Sequence, residues 1–369
     1  MKYCFGEDKM QNYQLSFFEN EDQPVNFTVP VSILPNGRIL RVISLFSGCG
    51  GMDLGFQGNF NIQGKKYSKN PFDIVFANDI LQRACDTYSY NFKKQAYCCD
   101  VRELDYSILP NADIVIGGFP CQDFSLAGKR QGLQADRGKL YLEMKKVIEY
   151  CNPIAFVAEN VDGIRRSKTG IATSALDVIL NDFRSLGYNV VYKALNAADY
   201  GVPQNRIRVI ITGIRVDIGK EMKYPDATNG NGTPMPWITA KEAIDDLWGQ
   251  IDITSIKNHT SKDYSKAKFY PQKTMQGNCQ IKADRPSPTI RSEHHGNIEA
   301  HYRTNNEADP TDMNGWRRLS VRECARLQTF PDDFVFPVSS SDAYKQIGNA
   351  VPPVLAWHIA RALYISLFT

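Results

Sequence analysis

The chain has 369 residues, 43% of them hydrophobic, with 43 Lys and Arg against 40 Asp and Glu and a formal net charge of +3. That composition allows one large domain with a sizeable core plus a smaller one, and it excludes a chain disordered by default. The mild basic excess does not announce nucleic acid unless the charge is gathered on one face. The start, Met1-Lys2-Tyr3-Cys4-Phe5-Gly6-Glu7, has no apolar run, so no secretory leader is expected, and no apolar stretch reads as long enough to cross a membrane.

Residues 1–38 are polar, with Pro24, Pro30 and Pro35, and read either as an arm wrapping the domain or as a flexible tail. From residue 39 a strand–turn–helix rhythm begins. Ile39–Phe46, Phe72–Ala77, Asp113–Ile116, Ile154–Ala158, Asn189–Leu195 and Ile207–Thr212 are short apolar runs rich in Val and Ile. Such runs suit a buried, mostly parallel sheet. Leu140, Tyr141, Met144, Val147, Ile148 and Cys151 recur at helical spacing before Pro153. The pattern predicts a doubly wound α/β domain over 39–216.

The rhythm breaks after Gly213. Residues 217–284 are rich in Lys, Asn, Thr, Gly and Pro, with Tyr264, Phe269 and Tyr270 among the lysines. They read as a smaller second domain, taken to extend over 217–300, or as a long surface insertion. Regular structure returns over 301–369. Ser320 and Glu323 form a capping-box signature before a helix that ends ahead of Pro331, and an apolar helix spans Pro353–Phe368.

Nine cysteines at irregular spacing, including the adjacent pair Cys98-Cys99, fit reduced thiols in a cytoplasmic protein, and with no C-x-x-C pair no metal site is expected.

Five segments can carry chemistry. Phe46-Ser47-Gly48-Cys49-Gly50-Gly51 follows a strand and opens a helix, a place where backbone approaches a ligand closely. It is neither a dinucleotide fingerprint nor a P-loop. Asp79 and Asp100 end the next two strands. Each alone is a solvated carboxylate or helix cap; in order after the glycine turn they suggest an adenosine cofactor without phosphates. Gly117-Gly118-Phe119-Pro120-Cys121 puts a thiol on a glycine-flanked turn after a strand, where a nucleophile is presented. Ser125–Gly138, with Lys129, Arg130 and Arg137, is a basic loop able to close over a phosphate backbone. Glu159, in Ala158-Glu159-Asn160-Val161, is either a carboxyl kept protonated by burial or a charge emerging into solvent. Gln204-Asn205-Arg206-Ile207-Arg208 alternates two arginines, so both are expected on one face as an anion or carbonyl clamp, or on a plain solvent edge. Gln346–Pro353 is a glycine turn leading into the last helix.

These segments, in this order, with Arg285-Pro286-Ser287-Pro288-Thr289 and Arg322-Glu323-Cys324-Ala325-Arg326, resemble the DNA cytosine-5 methyltransferase family of the restriction-modification type. The resemblance implies an S-adenosylmethionine-dependent, Rossmann-like α/β fold whose C-terminal helix packs back onto the N-terminal sheet. It implies S-adenosylmethionine as methyl donor, S-adenosylhomocysteine as product, and cofactor contacts from Phe46, Gly48, Gly50, Asp79, Ile80, Asp100, Pro120, Asn349 and Ala350. Asp79 stands where the family often has Glu, and Ile80 where it usually has an aromatic. DNA contacts are expected from Ser125, Lys129, Arg130, Arg137, Gln204 and Arg291, and target recognition from 217–300.

The expected catalytic residues are Cys121, Glu159, Arg206 and Arg208. Cys121 would add to carbon 6 of a flipped-out cytosine, protonated Glu159 would hydrogen-bond the ring, and the arginines would hold the ring carbonyl or flanking phosphates before methylation of carbon 5. Expected partners are double-stranded DNA and a separately acting restriction endonuclease, with no membrane; a cytoplasmic, nucleoid-associated monomer is expected. The alternatives are a tRNA cytosine-5 methyltransferase, a non-catalytic DNA-binding regulator of the same fold, and a small-molecule enzyme using 217–284 as a lid.

Overall fold

The computed structural model describes residues 38–120, 140–166, 174–253, 255–265, 279–292, 301–305 and 314–369. The first half alternates as the sequence predicts. Strand β1 (Leu40–Leu45) leads to helix α1 (Gly51–Gln57), a hairpin of β2 (Phe60–Ile62) and β3 (Lys65–Tyr67), and β4 (Phe72–Asp79). Then follow α2 (Gln82–Phe92), β5 (Tyr97–Cys98), β6 (Ile114–Gly117), α3 (Leu140–Cys151), β7 (Ala155–Val161), α4 (Ala175–Arg184), β8 (Tyr188–Asn196) and β9 (Ile207–Arg215).

Among the described residues, seven strands form one sheet in the order β5-β4-β1-β6-β7-β9-β8. Its first four neighbouring pairs are parallel; β9 runs antiparallel to both β7 and β8. The all-apolar strand β6 is buried at every position, as a central parallel strand covered on both faces must be. One apolar cluster on the sheet gathers Val42, Ile74, Ile116 and Val157 with α1 and the C-terminal helix; another gathers Ile43, Val115, Phe156 and Ile211 with α3 and α4. The α/β architecture and the mostly parallel sheet agree with the sequence reading.

The C-terminal part holds α5 (Ala240–Ile244), β10 (Tyr302–Arg303), β11 (Arg317–Arg318), α6 (Val321–Leu327), α7 (Ser340–Asn349) and α8 (Pro353–Phe368). The Ser320–Glu323 capping box forms at the start of α6. A third cluster joins Ala240, Ala243, Ile244, Ile281 and Ile290 to Leu319, Cys324, Phe330 and Ile347. Apolar packing therefore crosses the boundary expected at residue 300: the short α5 cannot cover its own buried face and uses α6 to do so.

Helix α8 is apolar on nearly all sides and buried, and it lies on α1. Gly55 makes that crossing close: a Cβ there would sit 2.4 Å from both the Ala356 Cβ and the Pro353 carbonyl oxygen. Trp357 is 2% exposed and donates from its indole N–H to the Ser68 carbonyl, 2.9 Å away and 289 positions earlier in the chain. One expectation needs correction. The run Ser340–Phe368 is long and apolar enough by composition to cross a membrane, but 78% of its most apolar window is buried inside the protein, as in a core helix.

Candidate active site

The glycine turn leaves β1 through Phe46, whose φ of +52° lies in the left-handed region, and Gly48, at +55°. A Cβ on Gly48 would meet nothing within 4 Å, so this side of the turn is open. The opposite side is closed: Gly50 faces Phe92 at 2.3 Å and Gly51 the Val351 carbonyl at 2.5 Å, each measured from the Cβ position a larger residue would have. Backbone exposed on one side and packed on the other is a cradle for a ligand.

Asp79 fixes the cradle. Its carboxylate accepts from the Gly48 amide and the Leu81 amide, both at 2.9 Å, and burial holds its pKa above the usual carboxylate range. Ile80 beside it is 60% exposed, a large apolar surface at the rim. Behind the turn, Ser44 donates to the fully buried Asp53 carboxylate at 2.7 Å, and burial pushes the Asp53 pKa up to about 6. Asp100 is differently engaged than expected. It caps a short 3-10 turn and holds the Arg102 guanidinium at 2.5 Å, which lowers its pKa. That pairing competes with any role toward an adenine amine.

Strand β6 ends at Gly117, and the chain turns through Gly118, Phe119 and Pro120. Cys121, Ser125, Lys129, Arg130 and Arg137 lie outside the described residues. The described residues just before Cys121 are held from β7, where the Asn160 side-chain amide donates to the Phe119 carbonyl at 3.1 Å. Asn160 carried no assigned role in the sequence reading; its place one residue after Glu159 was the available signal. A Cβ on Gly118 would lie 3.0 Å from a Glu159 carboxylate oxygen, tighter than an ordinary contact, so the turn passes close to the acid.

Glu159 is buried and accepts from the Arg208 Nε at 2.8 Å. Desolvation dominates both partners: it raises the Glu159 pKa despite Arg208 and Arg206 nearby, and it lowers that of Arg208 despite the carboxylate. The pair sits where β7 and β9 meet, with Val161 opposite Arg208 in the register. The exposed Arg291 adds positive potential that further lowers the Arg208 pKa.

The two arginines part company, contrary to the expectation of a shared clamp. Arg206 precedes β9 and is fully buried, donating to the carbonyls of Ile290 at 2.9 Å, Gly348 at 2.7 Å and Ala350 at 2.9 Å. Gln204 is also fully buried. Its amide donates to the Leu327 carbonyl and the Gln328 side chain and accepts from the Ile290 amide, all inside the protein. Buried polar groups are satisfied internally, so Gln204 is not placed to reach DNA. Both residues bind the C-terminal segment to the sheet. The Arg285–Thr289 segment joins them: Ser287 pairs with Gln204, and the Thr289 hydroxyl donates to the Asn205 carbonyl at 2.5 Å.

The latch positions the last segment. The Ala350 carbonyl that Arg206 holds follows Asn349, which is exposed at the end of α7. Gly348 packs against the Arg291–Ser292 backbone, 2.3 Å from its Cβ position to the Ser292 amide nitrogen. The glycine cradle, Asp79, Ile80, the Phe119–Pro120 turn and the Glu159–Arg208 pair all lie where β1, β4 and β6 end or β7 meets β9, the crevice in which α/β sheets bind ligands.

Residues 40–364 match the model of the C-5 cytosine-specific DNA methylases. Among curated relatives, the chain is 33% identical over 343 residues to the Type II methyltransferase M.NgoFVII of Neisseria gonorrhoeae, covering 88% of this chain and 86% of that one. It is 36% identical over 358 residues to the Type II methyltransferase M.BsuRI of Bacillus subtilis, covering 87% and 78%. Its fold is similar to that of a DNA modification methyltransferase encoded within an E. coli prophage, with a TM-score of 0.62, 25% identity and coverage of 89% and 99%. It also resembles the fold of S. pombe Dnmt2, with a TM-score of 0.59 at 20% identity and coverage of 88% and 98%. A family match over most of the chain, carried on a sheet whose crevice gathers the glycine turn and the buried acid–arginine pair, makes this protein a member of the C-5 cytosine-specific DNA methylase family.

Proposed function

We propose that the protein methylates carbon 5 of cytosine within a specific duplex DNA sequence, with Cys121 as nucleophile and S-adenosylmethionine as donor. The observation that carries this reading is the buried Glu159–Arg208 pair, set against the turn that leads into Cys121.

The cradle fits such a cofactor: Gly48 offers open backbone, Ile80 an exposed apolar face, Asp79 a half-buried acceptor and Asn349 an exposed amide. Phe46, Gly50, Pro120 and Ala350 frame the same crevice. When bound, S-adenosylmethionine supplies an electrophilic methyl group. The protein's own residues prepare the base. The Cys121 thiolate adds to carbon 6, which makes carbon 5 electron-rich. Burial favours a proton on Glu159, so the carboxyl can donate to the ring nitrogen as charge develops there. Arg208, already bonded to Glu159, holds the carboxyl in place and presents its remaining N–H groups to the ring carbonyl. Arg206 acts through the Asn349–Ala350 turn. Loss of the carbon 5 proton and departure of Cys121 restore the aromatic ring.

The target base must leave the duplex at a cost of a few kcal/mol. The Ser125–Gly138 loop, with Lys129, Arg130 and Arg137, is assigned to the DNA backbone, and residues 217–300 with Arg291 to target choice. The Type II names of the relatives support a restriction endonuclease as a separately acting partner.

The test is methyl transfer from labelled S-adenosylmethionine to duplex DNA and, in parallel, to tRNA. Wild type should label DNA, Cys121→Ala should label neither, and duplex DNA carrying 5-fluorocytosine should form a covalent adduct through Cys121. Undiminished turnover by Cys121→Ala, or label in tRNA alone, overturns the proposal.

A further inference from the structure

Two described thiols flank the Asp79–Ile80 turn. Cys85, on the first half of α2, is buried and its sulfur lies 3.5 Å from the Asp79 carbonyl oxygen. Cys98, on β5, is exposed and its sulfur lies 3.7 Å from the next carbonyl, that of Ile80. The β4–β5 register places Cys98 directly beside Asp79. Cys85 and Cys98 thus bond to consecutive carbonyls, and Cys98 lies close enough to Cys85 to help raise its pKa. Cys99 belongs to a different arrangement, its sulfur accepting from the Asn78 amide at 3.3 Å.

We infer that Cys85 and Cys98 form an oxidisable dithiol, a modification site for thiol oxidants, whose closure to a disulfide weakens cofactor binding at the Asp79–Ile80 turn. The link to the cofactor rests on the placement given under the proposed function. Burial raises the Cys85 thiol pKa, so the exposed Cys98 reacts first. With an azo oxidant such as diamide the step balances. The Cys98 sulfur adds to one nitrogen of the N=N bond, and the Cys85 sulfur then displaces that nitrogen. The S–S bond forms, and the two thiol protons and two electrons end on the hydrazine product. Closure removes both S–H donors from the Asp79 and Ile80 carbonyls and ties α2 to β5 across the turn between them. By reciprocity, bound cofactor disfavours the closed disulfide at equilibrium.

The experiment uses the full chain. Diamide-treated protein is mapped by tandem mass spectrometry, and S-adenosylhomocysteine affinity is measured calorimetrically before oxidation, after it, and after dithiothreitol. Affinity is read instead of turnover because Cys121 also reacts. The expected result is a Cys85–Cys98 cross-link, an affinity loss of about tenfold or more, and recovery on reduction. Cys98→Ser, a mild change at an exposed site, should show neither effect, and Cys99→Ser should show both. Absence of the cross-link in wild type, or unchanged affinity once it has formed, overturns the inference. Reduced wild type that fails to bind S-adenosylhomocysteine overturns the cofactor placement instead, whether or not the cross-link forms, so the two failures are separable.

Discussion

The Asn160 side-chain amide donates to the carbonyl of Phe119, two residues before Cys121, at 3.1 Å. Both groups are buried, so the bond fixes the turn with little competition from water. Asn160→Ala leaves that carbonyl unsatisfied, a cost of about 1–3 kcal/mol in stability. It should also cut single-turnover methylation by about a hundredfold, because displacement of a nucleophile by an ångström is that expensive. S-adenosylhomocysteine affinity should stay close to wild type. Single-turnover kinetics with pre-bound DNA checks this; an unchanged rate removes Asn160 from the positioning of Cys121.

The separation of the two arginines predicts opposite kinetic signatures. Arg206→Lys loses most of the bonds to the Ile290, Gly348 and Ala350 carbonyls. Leaving buried groups unpaired should cost about 3–5 kcal/mol in stability and raise the cofactor KM by about tenfold, with kcat within about threefold of wild type. Arg208→Lys, which breaks the Nε bond to Glu159, should lower kcat by about a hundredfold with little change in cofactor KM. Steady-state assays of the two variants side by side decide it, and matching profiles return both residues to a single shared role.

Asp53 predicts a pH dependence of stability. Burial raises its pKa from 3.8 to about 6. The folded state therefore favours the protonated form. Its contribution is fully present below the unfolded pKa and is lost as pH rises through about 6, amounting to about 3 kcal/mol. Asp53→Asn keeps the shape and an acceptor for Ser44 but cannot ionise. The stability of the variant relative to wild type should rise between pH 4 and pH 7, as measured by urea unfolding at each pH. A constant difference across that range contradicts the buried-acid account.

Gly55→Ala tests the α1–α8 crossing. The added methyl would overlap Ala356 and the Pro353 carbonyl at 2.4 Å, and the second of these is backbone that cannot rotate away. Overpacking of this kind costs about 1–3 kcal/mol or more. Thermal melts should show the loss even with saturating S-adenosylhomocysteine, since the crossing is remote from the cradle's open side. Wild-type stability would mean the two helices separate at no cost.

Much of the fold was legible because its signals are local. The Val- and Ile-rich runs became β1, β4, β6, β7, β8 and β9, and the Ser320–Glu323 pair capped α6 as expected. The reversed direction of β9 was not legible, since apolar composition says nothing of strand polarity. The fates of Gln204 and Arg206 were hidden for a related reason. Alternation along a strand predicts a shared face only within the strand, and both residues precede β9 in a segment whose bonds run to positions 290, 328 and 350. The third cluster escaped because α5 is too short to show a helical period of its own. The Glu159–Arg208 pairing lay between these extremes: both residues were candidates, but their contact depends on strands separated by β8 in sequence and adjacent in the sheet.

The seating of Trp357 against Ser68 bears on how the chain is made. The two are 289 positions apart, and ribosomes add roughly 5–20 residues each second, so the apolar face of α1 waits roughly 15–60 s for α8 to cover it. During that interval the half of the protein that carries the glycine turn, Cys121 and Glu159 is already synthesised but cannot finish its core. Nascent chains stalled before residue 353 should bind chaperones and stay protease-sensitive, and the cradle should close only when the last helix arrives.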